Sequence, residues 1–393
     1  MSTDAVIVDV IRTPSGRGKP GGALSEVHPT DLFAGVLREL LDRNDIDARQ
    51  VDDVIGGCVT QIGEQSTNVT RTALLSAGFP DTVPAVTIDR QCGSSQQAAT
   101  FAAQGVIAGA YDIVIAGGVE SMSRVPILSN AAGKKTWGRL LEERYPGGLV
   151  DQGISAELII EKWGLTRDDL DAFSALSHER AAAAAERGDF DNEIVPVEMP
   201  NGAVTADETI RPGTTAERLG TLGSAFRTDA FAERFPQASW QVTAGNSSPL
   251  TDGASAALIM SAERADQLGL RPRARFHSFA VTGSDPLLML TGVIPVTRRI
   301  LERSGLSLDQ MDAYEVNEAF APVPIIWQRE LGADPAKLNP RGGAIALGHP
   351  LGATGTKLLA TLVNTLESTG GRYGLQTMCE GGGMANATII ERL

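Results

Sequence analysis

The sequence predicts an α/β protein, a sheet covered on both faces by helices. Three observations carry this: short apolar runs bounded by turns, Ala- and Leu-rich stretches of helical period between them, and a weak internal repeat. At 393 residues the chain exceeds the usual size of a single core, and 42% apolar against 21% charged residues leaves material for a large one.

The apolar runs come first at Ala5 to Val10, then at Asp53 to Val59, Ala85 to Ile88 and Asp112 to Ala116. Each is short and continuous, as strands buried on both faces are. Between them, Leu32 to Leu41 and Gln96 to Gly109 have helical period, so strands alternate with helices. The string Gly16-Arg17-Gly18-Lys19-Pro20-Gly21 has G-x-G-x-x-G spacing, but a dinucleotide fingerprint opens straight into a helix. Here Pro20, Gly21 and Gly22 prolong the loop, which reads as a flexible surface segment.

The repeat relates the two ends of the chain. Asp53–Val59, the turn after Cys92 and the strand ending Ala116-Gly117-Gly118 have later counterparts in Ala313–Asn317, the turn after His349 and the strand ending Cys379-Glu380-Gly381. The offset is about 260 residues, which places two glycine-containing turns face to face. Between the halves, Ser121 to about Thr243 changes character, with Gly133-Lys134-Lys135, Pro146-Gly147-Gly148 and a helix from Arg167 to Arg187. Thr166 caps that helix, Asp168 and Asp169 lie in its first turn, and Gly188 follows its end. The expected division is 1–120 with 244–270 as one half, 121–243 as an inserted loop domain, and 271–393 as the second half.

A net charge of −14 argues against a nucleic-acid or anionic-membrane partner, since either requires a broad basic field. No stretch reaches the roughly 18 apolar residues of a membrane span, and the start lacks a basic, then apolar, leader. Three cysteines do not make a disulfide framework, so a reducing, cytoplasmic setting is expected.

The four histidines are scattered, and no C-x-x-C or H-E-x-x-H occurs, so no metal site is expected. His178 reads as a solvated helix residue, and His28 and His277 as packing or hydrogen-bonding residues. Cys92 differs: it sits where the strand Val86-Thr87-Ile88 gives way to a helix, in Cys92-Gly93-Ser94-Ser95-Gln96-Gln97. A helix N-terminus favours a thiolate, and small neighbours admit a substrate. A lone cysteine is more often structural, and Cys58 is read that way. The context of Cys92 lowers that reading for it.

His349 stands inside a glycine-dense run from Gly342 to Gly355, and a histidine is the expected partner of a cysteine nucleophile. Cys379-Glu380-Gly381-Gly382-Gly383-Met384 sets a thiol beside backbone N–H groups freed by glycines, as an acid, a base or an oxyanion hole requires. Val316-Asn317-Glu318-Ala319-Phe320 puts two polar side chains in an apolar setting.

Taken together, Arg90-Gln91-Cys92-Gly93-Ser94, Ala116–Ser123, Asn317-Glu318-Ala319-Phe320, Gly343–Gly355 and Cys379–Gly383 resemble the thiolase family, in its order and over nearly the whole chain. The resemblance implies a five-layered α/β/α/β/α fold of two duplicated halves with an inserted loop domain contacting the ligand. It implies CoA-dependent cleavage of 3-ketoacyl-CoA to acetyl-CoA and a shortened acyl-CoA, with acyl-CoA and coenzyme A as substrates and no metal or redox cofactor. Cys92 would be acylated, His349 would deprotonate it, and Cys379 would move the α-proton of acetyl-CoA. The backbone N–H groups of Cys92 and Gly381 would form one oxyanion hole, and His349 with Asn317, through a water, the other. Ser248, with Ala319 and Phe320, would contact substrate. A homodimer or homotetramer is implied too.

Departures from the family pattern are Ser95 for a usual glycine, Asp89 for a common asparagine, and no basic residue in Thr221–Phe226. Asp151-Gln152-Gly153-Ile154-Ser155 stands where acetoacetyl-CoA-forming members carry His-Met, which weighs against that biosynthetic alternative. Val54–Ser66 is similar to degradative actinobacterial members, some acting on steroid side chains. Two rivals remain: a ketosynthase-like condensing enzyme, which uses two histidines where this chain has Asn317 and His349, and a catalytically silent lipid- or acyl-CoA-binding protein on the same fold.

Overall fold

The computed structural model describes residues 4–393. The first half runs β1 (Ala5–Arg12), β2 (Gly16–Arg17), α1 (Pro29–Asn44), β3 (Asp53–Gly57), α2 (Val69–Ser76), β4 (Ala85–Ile88), α3 (Ser94–Ile107) and β5 (Ile113–Ser121). Helices follow: α4 (Arg139–Arg144), α5 (Gln152–Trp163), α6 (Arg167–Glu186), α7 (Ala216–Gly220) and α8 (Asp229–Arg234). The chain then returns through β6 (Thr251–Ser261) and α9 (Ala262–Gln267) to β7 (Ala274–Gly283), α10 (Val293–Ser304), β8 (Ala313–Val316) and α11 (Pro322–Leu331). It closes with α12 (Ala344–Leu347), α13 (Thr354–Thr369), β9 (Tyr373–Glu380) and β10 (Met384–Arg392).

Strands β4-β3-β5-β6-β1 form one mixed sheet and β7-β10-β9-β8 a second, joined where β1 meets β7 at Val6–Arg275 and Ile7–Ala274. The duplication is visible in the pairing: β3 lies parallel to β5, and β8 parallel to β9. Helices α1 and α2 cover the outer face of the first sheet, where Phe33, Leu37 and Leu40 pack with Val54, Ile115 and Leu258. On the far side, α10 and α11 cover the second sheet through Val296, Ile300, Ile326 and Trp327. Helices α3 and α13 fill the space between the sheets, which completes five layers.

Small residues make that middle layer possible. Ala98, Ala99, Ala102 and Ala103 keep α3 slim, so Leu359, Leu362 and Val363 of α13 reach it while both helices touch a sheet. A larger side chain at Ala102 would overpack the layer, at about 1–3 kcal/mol. The N-termini of the two helices meet closely: a Cβ on Gly355 would fall on the backbone of Gln96. Similarly, a Cβ on Gly352 would lie 2.6 Å from the carbonyl oxygen of Gly57 at the end of β3. Glycine at these two positions lets the His349 turn rest directly on the first half.

Local capping follows the sequence in most places. His28 accepts the Thr30 N–H at the start of α1, and Thr166 and Asp169 form a reciprocal capping box on α6. Two expectations are corrected. The Gly16–Gly21 segment is not a free surface loop, because Gly16 and Arg17 pair with Asp252 and Thr251 of β6. His178 is not solvated: it is 5% exposed, its Nδ1 accepts the Arg211 N–H at 3.2 Å, and burial with nearby Arg211 pushes its pKa down to about 4. The loop carrying Arg211 covers a helix face whose charged neighbours look solvent-directed in sequence.

Candidate active site

The turn after β4 is built to present one side chain. Asp89 Oδ1 accepts the Gln91 N–H at 2.7 Å, and Gln91 takes a left-handed conformation, φ 50°. Ser94 then accepts the Arg90 N–H at 2.9 Å and donates to the Gln91 carbonyl at 2.6 Å. Cys92 is thereby held just ahead of α3, 2% exposed, packed with Val59, Met122, Leu351, Leu358 and Met378. Burial pushes its thiol up to about 12, a Gln152 side-chain contact pulls it back, and the Glu380 charge adds to the rise. The helix start favours an anion at the sulfur, while desolvation keeps the resting group a thiol.

His349 arrives from the second half. Its N–H donates to Thr251 Oγ1 at 2.9 Å, and its Nδ1 lies 2.6 Å from Thr354 Oγ1. Thr354 spends its own proton on the Pro350 carbonyl, 2.8 Å away, so its oxygen accepts from Nδ1–H. That fixes the tautomer and leaves the Nε2 lone pair as an acceptor, 3.4 Å from the donating Asn317 Nδ2. Burial, then the charge of Lys357, push the imidazole down to about 3, so it rests neutral.

Asn317 follows β8, its N–H bonded to the Thr377 carbonyl at 3.1 Å, and its buried Oδ1 has no partner among the described residues. Cys379 is fully buried near the end of β9. Burial raises its thiol well above the usual range, and Cys92 is close enough for its charge to add to that rise. Beyond it, Gly381 begins the hairpin into β10, and a Cβ there would lie 3.1 Å from Gln91 Oε1 and 3.3 Å from Gln152 Nε2. The glycine turn of the second half thus faces the Cys92 turn of the first. Ser248, Ala319 and Phe320 are brought together by backbone pairing, with Ser248 N–H on the Ala319 carbonyl at 3.0 Å and Ser247 bridging to Phe320.

Family models described as the thiolase N-terminal domain and the thiolase C-terminal domain match residues 5–263 and 270–392. The chain belongs to the thiolase family. It is 48% identical to a steroid 3-ketoacyl-CoA thiolase of Mycobacterium tuberculosis, over 100% of this chain and 95% of that one. It is 42% identical to a 3-ketoacyl-CoA thiolase of Bacillus subtilis, covering 99% of each. The crystal structure of the Bacillus anthracis acetyl-CoA acetyltransferase superposes with a TM-score of 0.88 at 37% identity, covering 100% of this chain and 99% of that one. This thiolase is therefore an acyltransferase.

Two carboxylates brace the thiolase site, one in each half. Glu120 accepts the N–H groups of Val59, Thr60 and Gly352 at 3.0, 3.0 and 2.9 Å, tying the His349 turn to the first sheet. Glu318 accepts Ser177 Oγ at 2.6 Å, Asn339 Nδ2 at 2.8 Å and Ile345 N–H at 3.2 Å. Fully engaged, Glu318 is no free base. Beneath the His349 turn, buried Arg12 holds Asp207 at 2.8 and 2.9 Å, Asp207 accepts the Ser15 N–H, and Ser15 Oγ donates to the Leu347 carbonyl at 2.7 Å. Lys357 donates to the Gly348 carbonyl at 3.3 Å.

Sequence reasoning missed two residues of the thiolase site. Gln152 Nε2 lies 3.8 Å from Cys92 Sγ. Glu380 is buried beside Cys379, both its oxygens lack partners among the described residues, and its carboxyl sits against the bare Cα of Gly93. Burial pushes Glu380 up to about 8, with Arg90 opposing and Asp89 adding to the shift. The segment holding Gln152 stood out only as a departure from the family pattern. A continuously buried strand offers no clue that its one acidic residue is unpaired.

Proposed function

We propose that this thiolase cleaves 3-ketoacyl-CoA with coenzyme A, giving acetyl-CoA and a shortened acyl-CoA, in fatty-acid or steroid side-chain degradation. The observation that carries the reading is the approach of Cys92 in one half to Cys379 and, through Leu351, to the turn that bears His349 in the other. Neutral His349 takes the Cys92 proton at Nε2 as the sulfur attacks the C3 carbonyl. The C2–C3 bond breaks, the electron pair passes to the acetyl-CoA enolate, and the Cys379 thiol protonates its α-carbon. The Cys379 thiolate then takes the proton of the incoming CoA thiol, whose sulfur attacks the acyl-enzyme. Cys92 leaves as thiolate and recovers its proton from His349. Charge on the thioester oxygens is held by the N–H groups of Cys92 and Gly381 and by His349 with Asn317, so no metal or redox cofactor is required.

Relatives named as 3-ketoacyl-CoA and steroid 3-ketoacyl-CoA thiolases support the substrate class. Asp151-Gln152, in place of His-Met, weighs against an acetoacetyl-CoA-forming role. We further infer a cytoplasmic homodimer or homotetramer. Edge strand β4, with Val86 41% exposed, supports association, because an open apolar edge is a pairing surface. No helix among the described residues is long and apolar enough to cross a membrane.

The test has two arms. Brief exposure to acyl-CoA followed by peptide mass spectrometry should place the acyl group on Cys92, and an adduct on Cys379 or Cys58 alone would reverse the assignment. Comparing kcat/KM for acetoacetyl-, medium-chain, long-chain and steroid 3-ketoacyl-CoA then identifies the acyl group, and absence of CoA-dependent cleavage across the series would refute the reading.

A further inference from the structure

We propose that Gln152 is a catalytic residue of this chain, its side-chain amide N–H holding the Cys92 sulfur as thiolate. The inference rests on Cys92 being the nucleophile and adds a donor from outside the paired halves.

The geometry comes from α5. Its first residue is Gln152, and Nε2 reaches 3.8 Å from Cys92 Sγ. The same nitrogen lies 3.3 Å from where a Cβ on Gly381 would stand. The amide therefore occupies the gap between the sulfur and the glycine turn. The start of α5 is seated firmly: Ser155 N–H bonds the Asp151 carbonyl at 3.0 Å, and the bare Cα of Gly153 lies under the Phe226 ring, which meets Phe320 edge-on at 5.8 Å. A side chain one residue before that contact cannot drift far from the sulfur.

The chemistry supplies the reason. Desolvation opposes charge on Cys92, and the acidic groups facing it, Glu380 at the end of β9 and Glu120 from β5, oppose it further. Asp89 and Arg90 flank it on its own turn, Cys379 lies nearby on β9, and His349 rests neutral with Lys357 behind it. An N–H donor offsets part of this opposition, because a hydrogen bond to an ion is about twice as strong as one to a neutral group. Nitrogen and oxygen of a carboxamide differ only in the bonding they permit, and the N–H end is the one a thiolate selects. Thiolate appears twice in the cycle, as attacking group and as leaving group, so the donor serves both half-reactions.

The experiment is the pH dependence of iodoacetamide alkylation of the intact enzyme, with the adduct located by mass spectrometry, in wild type, Gln152→Met and Gln152→Glu. Met matches the volume of Gln but donates no hydrogen bond. The Met variant should shift the Cys92 alkylation profile upward by about one pH unit, roughly a tenfold slower reaction at neutral pH, with the limiting rate at high pH unchanged. Gln152→Glu should shift it further, since an ionised carboxylate repels the thiolate. Gln152 is partly exposed at a helix start, and thermal melting confirms that each variant is folded. A wild-type profile in both variants, with the adduct on Cys92, would overturn the inference alone. An adduct elsewhere would instead overturn the assignment of the nucleophile.

Discussion

Ser95 Oγ accepts the backbone N–H of Thr356 at 3.1 Å, so the first turn of α3 caps the first turn of α13. One hydroxyl thus links the helix behind Cys92 to the helix behind His349, at the seam of the two halves. An otherwise orphan helix donor is thereby closed by a side chain from the other half.

Ser95→Ala should therefore lower unfolding stability by about 1–2 kcal/mol, the usual cost of a lost helix cap at a buried site. Activity per folded molecule should hardly change. Urea unfolding followed by fluorescence checks the first statement and kcat/KM the second. Equal midpoints for mutant and wild type would show that the contact contributes nothing.

Thr354 governs which imidazole nitrogen carries the proton, through the 2.6 Å contact with Nδ1. Thr354→Val removes the acceptor while preserving shape, so His349 is freed to place its proton on Nε2, where it cannot act as base. The expected outcome is a fall in kcat/KM of at least about tenfold per folded molecule, with melting lowered as well because the buried Pro350 carbonyl loses its donor. Nitrogen-15 chemical shifts of the two ring nitrogens report the tautomer directly, and an unaltered Nδ1–H form would defeat the argument.

Cys379 should be dispensable for acylation and essential for carbon chemistry. In Cys379→Ala, acetyl-CoA still loads Cys92, but exchange of its α-protons with solvent deuterium and net turnover are lost. Wild-type exchange in that variant would remove Cys379 from the role of acid and base. Glu318 would not inherit it, since its oxygens are already bonded.

Glu380 gives a pH dependence of known sign. Its folded pKa, about 8, exceeds the reference 4.5, so between those values the folded protein holds a proton that the unfolded chain releases. Stability therefore declines as pH rises through this window, by on the order of a few kcal/mol, and the loss is complete above about 8. Glu380→Gln should melt higher than wild type by a margin that grows from pH 5 to 8 and then levels off. Parallel melting curves across that range would show that Glu380 ionises freely.

Legibility followed the physics of each segment. Ala85–Ile88 was readable to the residue because turn formers bound it on both sides. The strand read as Asp112 to Ala116 runs instead from Ile113 to Ser121. Gly117 and Gly118 look like a strand end, yet Gly118 lies inside the sheet, where the Gly352 carbonyl occupies the space a Cβ would need. His349 stood out because a glycine-dense run around one histidine has few packing causes, and Cys92 because it sits among small residues where a strand gives way to a helix. Gln152 and Arg12 did not, because their partners Cys92, Asp207 and Glu193 are distant in sequence and follow no spacing rule. His178 was misjudged for the same reason: the loop around Arg211 that covers it cannot be anticipated from the helix alone.

The position of β1 has a consequence for how the protein is made. Its residues, Ala5 to Arg12, pair on one side with β6 and on the other with β7, whose residues begin at 251 and 274. A nascent chain must thus hold an apolar strand without a neighbour until some 250 further residues have left the ribosome. At about 5–20 residues per second, that wait is on the order of ten to fifty seconds. During synthesis the leading strand is a natural client for a chaperone, and stop codons before β6 yield chains whose first strand stays permanently unsheltered.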